Sequence, residues 1–131
     1  MFSRTKQLIG SDFQKLADCN IIIFGIGGVG GYTAEMLIRS GVGRLTIVDY
    51  DVVDVTNKNR QIIALNSTIG KYKVDVMADR LKDINPDALI VKVCFVTCCM
   101  TSVCFVLGMC LRLVTGSPGA FNLQFYASFC S

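Results

Sequence analysis

"NIIIFGIGGVGG", Asn20 to Gly31, decides the fold. After Asn20 it is a short continuous apolar run rich in β-branched residues, as expected of a strand covered on both faces. Gly25, Gly27, Gly28 and Gly30 then replace bulk with bare backbone. Small residues at a strand-to-helix turn let backbone N–H groups approach a phosphate, and a following helix N-terminus adds partial positive charge. Glycines needed only for tight packing would read the same way, so the loop argues for a nucleotide without naming it.

Working outward, residues 29–40 read as a helix with Ala34, Leu37 and Ile38 on one face, stopped by Gly41 and Gly43. "RLTIVD", Arg44 to Asp49, is a second strand. "GKYKVDVMADRLKDIN", Gly70 to Asn85, is an amphipathic helix, with Val74, Met77, Leu81 and Ile84 at three- and four-residue steps and Asn85-Pro86 at its end. "ALIVKV", Ala88 to Val93, is a third strand. Upstream, Ser11 and Gln14 have the spacing of a capping box for a short helix through Ala17. A β-α-β-α-β order predicts a parallel sheet with right-handed crossovers. The fold class is therefore α/β, a Rossmann-like parallel sheet with flanking helices.

The chain has 131 residues, enough for one domain. Its net charge of +3 is too mild to argue nucleic-acid binding, and with no histidine it has no histidine catalyst or ligand. The opening residues show no signal-peptide pattern, so a cytoplasmic protein with reduced thiols is expected. Seven cysteines include no CxxC pair, so a zinc site is not expected.

Composition divides the chain. Residues 1–93 carry every acidic residue and all but one of the basic ones, and are expected to form the nucleotide-binding domain. Residues 94–131 form an apolar, Cys-rich tail. Val93 to Leu111 carry no charge, near the minimum for a membrane span, so membrane contact by residues 93–111 is one reading. A buried strand-turn-strand and a poorly folding tail are the others. "TGSPGAFNLQFYASFCS", from Thr115 onward, reads as loop.

Between the second strand and the second long helix lies "DYDVVDVTNKNRQ", Asp49 to Gln61. Asp49 ends its strand where an acid can hydrogen-bond a ribose hydroxyl, whether of NAD or of ATP. Asp51 is either a loop acid or a helper for a metal. NAD has a pyrophosphate already cradled by the glycine loop and needs no further cations downstream. A triphosphate does need them. Arg60 and Lys73 would supply charge to the β- and γ-phosphates, with Asn57 as a neutral donor. Each alone could be a solvated surface residue. Together with the glycine loop they favour a triphosphate.

These stretches, with "FSRTKQLIG" at Phe2 to Gly10 and the N-x-N-R-Q pattern of Asn57 to Gln61, resemble the ATP-binding half of the ubiquitin-activating-enzyme-like superfamily. The resemblance runs from residue 2 to about 91. It is strongest to the branch that acts on threonylcarbamoyladenosine in tRNA. It implies that the glycines and Asp49 hold the adenosine and ribose, and that Asn57, Arg60 and Lys73 hold the phosphates. It also implies that Arg4 reaches into the ATP site of a neighbouring subunit, which requires a homodimer. The implied catalytic residues are Arg60, Lys73 and Arg4, and the implied cofactors ATP and Mg2+. The implied reaction is adenylation, in which a substrate carboxylate attacks the α-phosphorus and pyrophosphate leaves. On the tRNA branch, activation leads to cyclic dehydration of the modified base. On sister branches the substrate is the C-terminus of a sulfur-carrier or ubiquitin-like protein.

The family continues with a fourth strand ending in an aspartate, whereas this chain has no acid after Asp87. The sheet is therefore expected to stop after its third strand, with weak or absent catalysis by this chain alone. A non-catalytic nucleotide-binding module stays open beside the adenylating enzyme.

Overall fold

The computed structural model describes residues 1–94, 110–116 and 120–126. Two short helices open the chain, α1 (Ser3–Ile9) and α2 (Phe13–Ala17), joined by a 3₁₀ turn at Gly10–Asp12. The sequence indicated only the second. Nor does the capping box of Ser11 and Gln14 form: Asp12 is the N-cap and no side chain caps the helix. The preceding 3₁₀ turn takes up Ser11, and the Gln14 amide donates forward to Asp18 (2.9 Å).

The central pattern forms as the sequence reads. β1 (Asn20–Phe24) leads through the glycine loop into α3 (Gly28–Ser40), then β2 (Arg44–Val48), α4 (Lys73–Ile84) and β3 (Leu89–Val93). β1 pairs parallel with β2, and β2 with β3. Ile21, Ile23, Leu45 and Ile47 point from the strands into a core closed by Ala34, Ile38, Val74, Met77 and Leu81 from the helices. The helical residues are those whose spacing marked one face. α3 ends at Gly41, whose φ of 107° lies in the left-handed region where a side chain would be strained.

Two further strands, β4 (Cys110–Gly116) and β5 (Ala120–Tyr126), extend the sheet to the order β3-β2-β1-β5-β4. β5 pairs parallel with β1, Phe24 opposite Tyr126, and β4 pairs antiparallel with β5. The sheet thus does not stop at the third strand, and part of the stretch read as loop is strand. Much of the run weighed as a membrane span, residues 95–109, lies outside the described residues. Among the described residues no helix is long and apolar enough to cross a membrane.

The sheet order fixes where a ligand belongs. From β1 the chain moves one way to β2 and β3, while β5 lies on the other side. The crevice beyond the carboxyl ends of strands at such a reversal is the usual ligand site of open α/β sheets. Here that end holds Gly25 to Gly30.

Candidate nucleotide site

The loop after β1 is held by its neighbours on both sides. The Gly25 N–H donates to the Val48 carbonyl (2.7 Å), and Gly25 has φ 86°, again left-handed. Gly30, in the first turn of α3, sits so close to Gly25 that a Cβ would overlap the Gly25 carbonyl oxygen. This contact lets the helix begin directly over the strand end. Gly27 is the N-cap and offers no side chain, so the first N–H groups of α3 have no side-chain acceptor there.

Asp49 is buried at 8% exposure and bridges the loop to the next segment. One carboxylate oxygen accepts from the Ile26 N–H (2.6 Å), the other from the Asp51 N–H (2.9 Å). The Asp51 carbonyl in turn accepts from the Lys73 N–H (3.0 Å), and its carboxylate pairs with the Lys73 amine (2.7 Å). An unbroken chain of hydrogen bonds therefore joins the glycine loop to the first residue of α4. Lys73 is only 5% exposed, so its ammonium depends on the half-exposed Asp51 for compensation. A short antiparallel bridge between Val52 and Tyr72 holds the two segments in register.

The N-x-N-R-Q stretch folds across the front of the loop. Asp54 and Asn57 form a reciprocal capping box around a 3₁₀ helix at Val55–Asn59. The Thr56 hydroxyl and amide hold the Asp54 carboxyl below its usual range. Asn57 thus spends its carboxamide oxygen on the Asp54 N–H (3.1 Å), leaving its nitrogen as the donor to a ligand. The Arg60 stem lies against Gly28, its Cγ 3.5 Å from where a Cβ would sit. The Arg60 guanidinium donates to the Thr56 carbonyl (3.3 Å) and the Asn59 side chain (3.0 Å) and is exposed.

The structure therefore brings Gly25, Gly27, Gly28, Gly30, Asp49, Asp51, Arg60 and Lys73 to one end of the sheet, with Asn57 one helical turn from Arg60. It does not bring Arg4 there. Arg4 is exposed on α1, whose neighbour Phe2 packs on Phe13 (ring centroids 5.5 Å apart) beside Gly41. Gly41 is at the far end of α3, roughly 20 Å from the loop for a helix of this length. One buried residue passed over as a site residue, Gln61, has its amide nitrogen 3.8 Å from the Cβ position of Gly27. It closes the polar Asn57 to Gln61 stretch, and nothing local marks it as buried.

A separate cavity of about 260 Å³ lies between residues 62–71 and α4, lined among others by Ile62, Leu65, Lys71, Asp75 and Arg80. It includes none of the candidate site residues. Its mixed lining and lack of the loop glycines make the glycine loop the better candidate. Among the described residues no group of three or more His, Cys, Asp or Glu is placed to hold a metal ion.

A glycine loop opening a helix over a strand end, an acid closing the next strand and a buried lysine tied to both define a nucleotide-binding α/β domain. Residues 2–105 match the ThiF family, and the chain belongs to it. It is 48% identical over 91 residues to the tRNA threonylcarbamoyladenosine dehydratase of Bacillus subtilis, an alignment covering 69% of this chain and 36% of that protein. A crystal structure of the Escherichia coli tRNA N6-threonylcarbamoyladenosine dehydratase in complex with ATP superposes with a TM-score of 0.70 at 45% identity. That match covers 72% of this chain and 39% of the other. The ubiquitin-like modifier-activating enzyme 5 of Oryza sativa is 43% identical over 79 residues, 60% of this chain and 18% of that enzyme. The chain thus matches about a third of the length of its dehydratase relatives.

Proposed function

We propose that this chain binds ATP at the glycine loop and contributes that site to adenylation of a substrate carboxylate, on the threonylcarbamoyladenosine of tRNA. The observation that carries the reading is the hydrogen-bond chain from Ile26 through Asp49 and Asp51 to Lys73. It ties a buried cation to the loop that would receive the phosphates. The unsatisfied N–H groups at the start of α3 suit phosphate oxygens. Lys73 and Arg60 suit the charge that grows on the leaving pyrophosphate. Asp49, with lone pairs beyond the two it already uses, suits a ribose hydroxyl. NAD, whose pyrophosphate the loop alone would serve, leaves Lys73 and Arg60 without a task.

The residues fit ATP. They offer Mg2+ less. The Asp49 carboxylate, on the loop itself, is taken by the Ile26 and Asp51 N–H groups, the next carboxylate, Asp51, is engaged by Lys73, and the sequence supplies no acid after Asp87. A magnesium ion, which commonly takes one or two carboxylates together with substrate phosphates, would be held by Asp51 and the triphosphate. It would neutralise charge on the leaving group.

A homodimer is part of the proposal. Val29, Tyr32 and Met36 recur along α3 from the glycine loop outward and are 39%, 51% and 68% exposed. Arg4 lies too far from its own loop to touch a phosphate there, so a role for it in the site needs a second subunit. The likeness to ubiquitin-like modifier-activating enzyme 5 supports a second reading, in which the carboxylate is the C-terminus of a small carrier protein.

The test is ATP–pyrophosphate exchange. Stimulation by tRNA bearing threonylcarbamoyladenosine supports the first reading, and stimulation by a sulfur-carrier or ubiquitin-like protein supports the second. ATP binding with no exchange in either case would leave a non-catalytic nucleotide-binding module.

A further inference from the structure

Asp51 is held at its backbone and at its side chain. Its N–H donates to the Asp49 carboxylate (2.9 Å), its carbonyl accepts from the Lys73 N–H (3.0 Å), and one carboxylate oxygen accepts from the Lys73 ammonium (2.7 Å). The ion pair is lopsided: the Lys73 side chain is 6% exposed and that of Asp51 46%. A half-exposed carboxylate gains little from such a pair, whereas a buried ammonium without a counter-charge is costly. The partnership therefore serves Lys73. The ammonium carries three N–H groups, and among the described residues Asp51 is the one acceptor it meets. Donors remain on a buried cation that Asp51 holds in one place.

We propose that Asp51 is a positioning residue, which fixes the Lys73 ammonium for the outer phosphates of a bound nucleotide. The inference rests on the nucleotide reading above and deepens it. A lysine stem is long and flexible, and an unheld ammonium turns toward water. An ammonium already held loses little freedom when the phosphates arrive. Asp51 itself carries the wrong sign for a phosphate, so two effects of its charge oppose each other. Its attraction for Lys73 acts at 2.7 Å on a buried group. Its repulsion of a phosphate acts from a half-exposed side chain, where water and salt screen it. The attraction is the larger of the two, so Asp51 favours ATP on balance. The effect is confined to the phosphates that Lys73 serves. A nucleotide without them gains nothing from it.

The experiment is a double-mutant cycle on the full chain. ATP and AMP are titrated calorimetrically into the wild type, Asp51→Asn, Lys73→Met and the double variant. EDTA is present throughout, so that no metal held by Asp51 enters the result. Asp51→Asn is expected to bind ATP roughly tenfold more weakly and AMP within about twofold of the wild type. In the Lys73→Met background the same substitution should bring no further loss of ATP affinity. Asp51→Ser is measured beside Asp51→Asn with the same expectations, and it carries the test if Asp51→Asn fails to fold. ATP bound as tightly as by the wild type, or more tightly, once the carboxylate is gone overturns the proposal, because the charge then only repels. An equal loss of ATP and AMP overturns it, as a general disturbance of the loop. So does a tenfold loss that persists in the Lys73→Met background, because Asp51 then acts without Lys73. Those outcomes leave the nucleotide site standing, whereas a wild type that binds no ATP removes both.

Discussion

The two ends of the central sheet are built with the same device and do opposite things with it. At the carboxyl end, Gly30 lies against the Gly25 carbonyl so that α3 can start over β1. At the amino end, Gly43 lies against the Ala17 carbonyl so that β2 can start beside α2. Around Gly43 the neighbours then close the structure. Arg44 N–H donates to Cys19, Leu89 N–H donates to Gly43, the Cys19 thiol donates to Lys15, and Phe13 packs within 2.7 Å of the Cβ position at Gly41. Burial, and secondarily the Asp18 charge, pushes that thiol's pKa up, which keeps it protonated. Around Gly30 the neighbours instead leave work undone. An acid, a lysine and a glutamine are each buried there, and among the described residues the glutamine's side-chain oxygen has no hydrogen-bond partner. A sealed end serves stability, and the glycine-loop end is where the proposed nucleotide would bind.

The largest expected effect treats the two ends alike. Gly30→Ala and Gly43→Ala each force a methyl group into a backbone carbonyl oxygen, that of Gly25 or Ala17. Each should cost about 3 kcal/mol or more, read as a fall in the urea midpoint or loss of folded protein. Lys73→Met should then separate the ends. It removes a buried charge whose partner, Asp51, can turn to water, so stability should change by only about 1 kcal/mol while ATP binding falls about 100-fold. Calorimetry and urea unfolding on the same sample check both halves.

Phe13→Ala is the mirror image. It empties the aromatic contact under Gly41 and should cost about 2 kcal/mol in unfolding, with ATP affinity unchanged within about twofold.

The smallest effect concerns Glu35, which joins α3 to α4 through Arg80 (2.6 Å) and to its own helix through Arg39 (2.8 Å). The Arg80 hydrogen bond, against the cost of burial and with help from Arg39, holds its carboxyl below the usual 4.5. A depressed folded pKa gives stability that is present above the unfolded value and lost as pH falls through the folded one. Glu35→Gln should therefore cost about 1 kcal/mol at pH 7, since both arginines are partly exposed, and the gap from wild type should close toward pH 3. Unfolding at the two pH values reads it.

How much of this was legible in the sequence follows the same division. β1 and the face of α4 were readable because apolar runs and helical spacing report burial directly. The placing of Asp49, Arg60 and Lys73 at one end of the sheet was readable because an acid closing the second strand suits any ribose, while two cations beyond it exceed what a dinucleotide needs. Gln61 was not singled out, because a lone glutamine in a loop gives no hint of burial until the chain has folded over Gly27. Helix α1 was missed because it is held by Phe2 on Phe13, a contact no local period announces. Strand β5 was read as loop, although Phe121, Leu123 and Phe125 alternate with Asn122 and Gln124. The flanking Gly-Ser-Pro-Gly drew attention to turn chemistry, and the period of two went unread.

Binding of ATP and of NAD to the unmodified chain and to Lys73→Met, measured by titration calorimetry, tests the central claim most directly. ATP should bind the unmodified chain and bind the variant far more weakly, with NAD no better than weak in both. ATP binding equal in the two proteins, or NAD bound in preference to ATP, would contradict a triphosphate held between the glycine loop and Lys73.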